Sequence, residues 1–87
     1  MATTYEIVLT AAARRNLKSL PRTILKRVDA KLLGLGLNPR PPDAKKLRDR
    51  DGLMRVRVGD YRILYRVEDE RLVVLVVRIG HRREVYR

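Results

Sequence analysis

The chain has no cysteine, no tryptophan and no phenylalanine, and only one histidine. The missing cysteine excludes a disulfide framework and a thiolate metal site. A lone His81 argues against a zinc centre built from histidines, so no metal site and no cofactor are expected. Without Phe and Trp the core must come from Leu, Val and Ile, with a few of the 4 tyrosines. No apolar run approaches the roughly 20 residues of a membrane span. The start of the chain has no long apolar stretch behind a basic head, so no secretory signal is expected and the cytoplasm is the default compartment. Acidic residues are scarce too: 10 Asp and Glu stand against 21 Lys and Arg, a formal charge of +11 on 87 residues. That surplus predicts an anionic partner: nucleic acid, an anionic membrane or an acidic protein. The length suits a single domain, 1–87, with one modest core.

What is present centres on LMRVRVGDYRILYRV, from Leu53 to Val67. Alternation predicts two strands joined at Gly59-Asp60. A two-residue loop there pairs Val58 with Tyr61, Arg57 with Arg62, Val56 with Ile63 and Arg55 with Leu64. Arg55, Arg57, Arg62 and Arg66 then share one face, while Met54, Val56, Val58, Tyr61, Ile63, Tyr65 and Val67 share the other. Like charges facing one another across a sheet cost stability, so the arginine cluster asks for a reason.

Upstream, Tyr5 to Leu9 reads as a first strand. Thr10 is placed to cap a helix from Ala11 to Leu20, with Ala13, Leu17 and Leu20 at helical spacing. Pro21 separates it from a second helix, Arg22 to Leu35, whose stripe is Ile24, Val28, Leu32 and Leu35. The short connection predicts an antiparallel helix pair. Gly34 and Gly36 are expected to break the second helix, and the segment from Ala44 to Gly52 to be an exposed loop. A last strand spans Leu72 to Ile79, apolar on both sides as far as Val77, as a central strand should be. A symmetric connection pairs Val67 with Leu72. It sends Leu72, Val74, Val76 and Arg78 to the Tyr65 face, and Val73, Leu75, Val77 and Ile79 to the arginine face. The expected fold is α+β: strand, two helices, three strands, an antiparallel-rich sheet of about four strands with the helix pair on one face. The other face mixes arginines with leucines and valines, which predicts a surface built to be covered.

Arginine suits planar recognition of phosphate and can stabilise charge growing on phosphorus. The plainer reading is a solvated basic face. Tyr86 reads as a tail tyrosine, or as a phenol that stacks on a base or moves a proton. His81 reads as an exposed loop residue, or as a general acid or base. Lys45 and Lys46 are candidates for phosphate contact. Arg14, Arg15, Lys18, Arg22, Lys26 and Lys31 are most simply solvated helix charges that could also steer RNA.

The second half of the chain resembles the RelE side of the RelE/ParE toxin superfamily of toxin–antitoxin systems. The resemblance rests on Lys46-Leu47, the hairpin with its basic residues at alternating positions and its Gly-Asp-Tyr-Arg turn, the apolar last strand, and the terminal Gly-His-Arg…Tyr. It implies a RelE-like fold and a ribosome-dependent messenger-RNA endonuclease that needs no metal. In such an enzyme the ribose 2′-OH attacks the neighbouring phosphate. It also implies a cognate RelB-like antitoxin, with the free toxin a monomer and the complex a hetero-oligomer. Residue by residue, the two basic strand positions fall on Arg55 and Arg57, the arginine after the turn on Arg62, the arginine after the last strand on Arg82 or Arg83, and the terminal tyrosine on Tyr86. Arg57, Arg62, Arg82 and Tyr86 form the implied catalytic set. Arg55, Lys45, Lys46, Arg66, His81 and Arg83 are the implied RNA contacts. Better-known relatives carry lysine where Arg55 and Arg57 stand, and arginine does not act as a base in proteins. Tyr86 and His81 remain for that role. Some relatives also continue into a C-terminal helix, so the mixed face is expected to lie open for an antitoxin helix rich in Leu and Glu. A ParE-like gyrase inhibitor and a non-catalytic RNA-binding module are the alternatives.

Overall fold

A computed structural model describes residues 4–48 and 52–83. Strand β1 (Glu6–Leu9) leads into helix α1 (Ala11–Ser19) and helix α2 (Arg22–Leu37). Strands β2 (Lys45–Lys46), β3 (Leu53–Val58), β4 (Tyr61–Glu68) and β5 (Val73–His81) follow. They form one sheet in the order β1-β5-β4-β3-β2. β1 runs parallel to β5, and the other neighbours are antiparallel. The α+β expectation therefore stands, with five strands rather than about four. The fifth is β2: Lys45 and Lys46 lie beside Arg55 and Met54 instead of in an open loop. Two residues are too few to show a strand period.

Both helices lie over one face of the sheet. α1 rests on β5 and β1, and α2 on β1, β3 and β5, so each packs on the sheet more than on the other helix. Val28, Leu32 and Leu35 of α2 are buried, as the predicted stripe requires. They meet Met54, Val56, Val58, Ile63, Tyr65, Val74, Val76 and Ile79 in the main core. α2 does not stop at Gly34 but runs on to Leu37. Glycine weakens a helix by about 1 kcal/mol, yet here tertiary contact outweighs it. The Tyr5 N–H donates to the Gly36 carbonyl at 2.8 Å. A Cβ at Gly36 would lie 3.1 Å from the Tyr5 carbonyl oxygen, so the close approach of α2 to β1 requires glycine. No helix among the described residues is long and apolar enough to cross a membrane.

The hairpin register is the predicted one, from Leu53 opposite Arg66 to Val58 opposite Tyr61. Gly59 has φ +59° and Asp60 is not left-handed, which is the type II′ pattern. The β4–β5 register departs from expectation. Val67 faces Val74, not Leu72, because Glu68 pairs with Val73 and the four-residue loop moves one residue along the chain, from 68–71 to 69–72. Past Tyr65 opposite Val76, the next pair is Leu64 opposite Arg78, so Val77 is an extra residue in a β-bulge. The bulge reverses the parity of everything after it. Arg78 joins the arginine face and Ile79 the core, the opposite of the simple alternation.

Two side chains from the α1 end hold that bulge. Thr10 Oγ1 accepts the Ala13 N–H at 3.1 Å as the cap of α1 and donates to the Val77 carbonyl at 2.7 Å. Asn16 Oδ1 accepts the Ile79 N–H at 3.1 Å. Backbone groups that a regular ladder would satisfy are thus satisfied by α1.

Candidate functional site

The face of the sheet turned away from the helices carries the candidate site. Opposed residues in a sheet share a face, so the ladders define its rows. Arg57, Arg62 and Gly80 lie side by side across β3, β4 and β5. Lys45, Arg55, Leu64 and Arg78 form the next row, and Leu53, Arg66, Leu75 and Val8 the one after. Arg55, Arg57, Arg62 and Arg66 therefore share this face as predicted, joined by Arg78. Beneath the cations Leu53 and Leu64 form a second small core, with Leu47 and the bulged Val77 packed against it.

Exposure differs sharply within the cluster. Arg57, Arg66, Arg78, Arg82 and Arg83 are exposed and Arg62 is half-buried. Arg55 keeps only 8% of its surface, and its buried Nε has no hydrogen-bond partner. A buried donor without a partner costs roughly 1–3 kcal/mol. A guanidinium on an apolar bed, its Nε without a partner among the described residues, is suited to an anion that arrives from outside.

The tail after β5 is tied to the hairpin. The Arg82 N–H donates to the Asp60 carbonyl at 2.8 Å, which places Arg82 at the Gly59-Asp60 end of the sheet, beside the Arg57–Arg62 row. His81 pairs with Tyr61, whose parity belongs to the helix side. The two rings meet edge to face, with centroids 5.6 Å apart. His81 Nδ1 accepts the Arg83 N–H at 3.3 Å. The bulge that carries Arg78 onto the arginine face also carries His81 off it. Lys46 likewise shares the side of Met54, whereas Lys45 shares that of Arg55. The expectation for Tyr86 lies outside the described residues.

Arg78 was the residue that alternation misplaced. The signal was available: parity put a cation on a core face, a conflict that a one-residue bulge resolves.

The displaced pKa values belong to the fold's supports. Arg40 makes a two-pronged contact with Asp69 at 2.8 and 3.1 Å, and Tyr5 donates its hydroxyl to the same carboxylate at 2.7 Å. The hydrogen bonds from Arg40 and then from Tyr5 hold Asp69 at about 2. Lys31, 2.6 Å from Asp43, lowers that carboxyl as well. Burial pushes Tyr65 up to about 12 while its hydroxyl donates to the Pro39 carbonyl at 2.8 Å. Asp69 and its partners gather at the β4–β5 turn, the end of the sheet away from Gly59-Asp60.

Comparison with known proteins agrees with this architecture. The family model described as the ParE toxin of the type II toxin–antitoxin system parDE matches residues 7–86. Toxin RelG of Mycobacterium tuberculosis is 37% identical over 84 residues, spanning 95% of this chain and 97% of the relative. The toxin–antitoxin complex RelBE2 of the same organism contains a chain of 37% identity and TM-score 0.80, with 93% of this chain and 94% of that one aligned. The archaeal RelE–RelB complex of Pyrococcus horikoshii OT3 offers a chain of 28% identity and TM-score 0.80, covering 94% and 99% respectively. The sheet order, the helix pair over one face and the arginine-bearing hairpin are thus those of a member of the RelE/ParE family of toxins from type II toxin–antitoxin systems.

Proposed function

We propose that this toxin is a ribosome-dependent endoribonuclease that cuts messenger RNA in the A site. One observation carries the reading: Arg57 and Arg62 stand side by side on the open face, and the backbone of Arg82 is fastened to the turn that joins their strands. Three guanidiniums around one patch suit a phosphodiester whose charge rises during reaction.

In the reaction the 2′ oxygen attacks the adjacent phosphorus and the bond to the 5′ oxygen breaks. The products are a 2′,3′-cyclic phosphate and a 5′-hydroxyl. A base accepts the 2′ proton and an acid protonates the departing 5′ oxygen. Arg62 and Arg82 stabilise the charge on the non-bridging oxygens. Arg57 and Arg55 hold the backbone in register, with Lys45, Arg66 and Arg83 around them. Loss of one such charge-stabilising group typically costs about 10²–10³ in rate. With His81 turned toward Tyr61, Tyr86 is the better candidate for proton transfer or base stacking.

The same mixed face is where a cognate RelB-like antitoxin would lie. Structures of RelE–RelB complexes among the relatives support that partner. A helix rich in Leu and Glu fits Leu75 and Val77 set among arginines. The antitoxin would neutralise the toxin in that hetero-oligomer, and the toxin released from it would act in the cytoplasm, where the ribosomes are.

A second reading has its own support, because the matching family model is described as ParE. A ParE-like toxin would inhibit DNA gyrase by binding it and would not need Arg82 or Tyr86. Tightly controlled expression separates the two. The nuclease yields codon-phased RNA ends in translated messages, and these vanish when Arg82→Ala is combined with Tyr86→Ala. Intact messages together with a DNA-damage response would replace it with the gyrase reading.

A further inference from the structure

The nuclease reading leaves other surfaces of the molecule unused. Leu33 and Leu37 are exposed on α2, but nothing in the structure says what covers them. The recess between α1 and the Tyr61–His81 pair is partly taken up by the Asn16 contact to the bulge. A third place is different in kind. Between α2 and the far end of β3 lies an open cleft of about 420 Å³, lined by Arg27, Ala30, Lys31, Arg57, Val58 and Gly59.

Three cations and no carboxylate line this cleft. Lys31 is already paired with Asp43. Arg27 and Arg57 have neither an ion pair nor a hydrogen bond among the described residues. The guanidinium of Arg27 turns its Nη1–Nη2 edge toward the hairpin turn: a Cβ at Gly59 would be 3.2 Å from its Nη1, 3.6 Å from its Nη2 and 3.8 Å from its Cζ. Gly59 therefore serves twice, once for its positive φ and once for the room it leaves this side chain. The outer edge is open as well among the described residues, because β2 pairs with Met54 and Arg55 and leaves Arg57 and Val58 paired only with β4, on their inner side. Arg57 belongs both to the arginine row and to the cleft wall, so the two positive surfaces join across the strand edge.

We infer that this cleft is a second phosphate-binding site, which takes a backbone phosphate of single-stranded RNA beyond the nucleotide held on the sheet face. It rests on the nuclease reading for its biological substrate, but not for its chemistry. An RNA strand crossing the row would leave the sheet at the β3 edge, and Arg27 is the next unpaired cation on that path. Arginine suits the role because it stays charged at any working pH and its planar fork, with donors on more than one edge, can bind two phosphate oxygens.

The test is salt-dependent binding of the purified chain to a short oligouridylate, which needs neither ribosome nor cleavage. Each phosphate neutralised contributes about 0.7 to the slope of log K against log salt for a single strand. Arg27→Gln removes the charge but keeps a polar side chain, and should lower the slope by about 0.7, with binding roughly two- to fivefold weaker at low salt. Arg27→Lys should restore most of the slope, and Arg71→Ala, at the β4–β5 end of the sheet where Arg71 pairs with Glu68, should leave it unchanged. Arg27→Ala serves as a second variant if its circular dichroism matches the parent. An unchanged slope in Arg27→Gln overturns the site. So does a slope that falls equally in Arg71→Ala, or a variant that loses an acidic antitoxin peptide while keeping the RNA. Codon-phased ends that vanish with Arg62→Ala beside an unchanged Arg27→Gln slope would sink the cleft and leave the nuclease. The reduced slope without any phased ends would sink the nuclease and leave the cleft.

Discussion

Replacing Arg55 by methionine should make the protein more stable and less able to bind RNA. Arg55 is 92% buried by its 8% exposure, and its Nε lacks a partner. Its surroundings are Leu64 across β4, Lys45 across β2, and Leu53 and Arg57 two places away along β3. An orphaned donor costs roughly 1–3 kcal/mol, and only Nε is shown to be orphaned, so the lower end applies. Methionine is unbranched and of similar length, and substitutions that preserve core volume usually cost below about 1.5 kcal/mol. Removing a cation beside Lys45 and Arg57 also relieves repulsion. The balance is a gain of about 1 kcal/mol, which in a domain of this size raises Tm by about 4–8 °C. Thermal unfolding followed by circular dichroism reads this directly. In parallel, the salt slope of RNA binding should fall by about 0.7. A Tm that falls or does not move would refute the reasoning, because it would mean that the guanidinium is satisfied in the free protein.

Two further predictions concern the supports. Asp69 is held at about 2, below its ordinary 3.8. A depressed carboxyl contributes stability that is fully present above about pH 4 and is lost as pH falls through about 2. Asp69→Asn should therefore leave little acid-dependent loss from the Arg40–Asp69–Tyr5 contact in that window, as followed by acid titration of unfolding. Because the group is exposed, high salt should shrink the difference between the two proteins. At the bulge, Asn16→Ala orphans the Ile79 N–H and should cost about 1–2 kcal/mol in a urea titration, whereas Asn16→Asp, which keeps the acceptor, should cost less. Equal losses in the two variants would show that the amide oxygen is not what holds the bulge.

Elements governed by neighbouring residues were legible in the sequence. A two-residue loop at Gly59-Asp60 admits one register, and that register places four arginines on one face. The stripe of α2 followed from helical spacing alone. What escaped prediction was set at a distance. The bulge at Val77 depends on Thr10 and Asn16, more than sixty residues earlier, and the strand itself records it only as a cation, Arg78, that simple parity puts on the core face. One extra residue then carried Arg78 onto the site and His81 away from it. The extension of α2 through two glycines depends on the approach of Tyr5, again a distant partner. Of the proposed site, the hairpin arginines were readable, whereas the position of Arg27 against Gly59 exists only in three dimensions.

The parallel pairing of β1 with β5 has a consequence for the order of events in synthesis. Residues 6–9 can find their partners only when residues 73–76 exist, and β5 is also the only strand that joins β1 to β4. Closing so long a loop is entropically expensive and slow, so such contacts tend to form late. During translation the hairpin of β3 and β4 can close locally, but it has no neighbour on its β4 side. Gly80 and Arg82 reach the row only when β5 docks. The surface that would engage a ribosome is thus assembled only after residues 73–82 have left the ribosome that made them. A nascent fragment would carry the arginines without their arrangement.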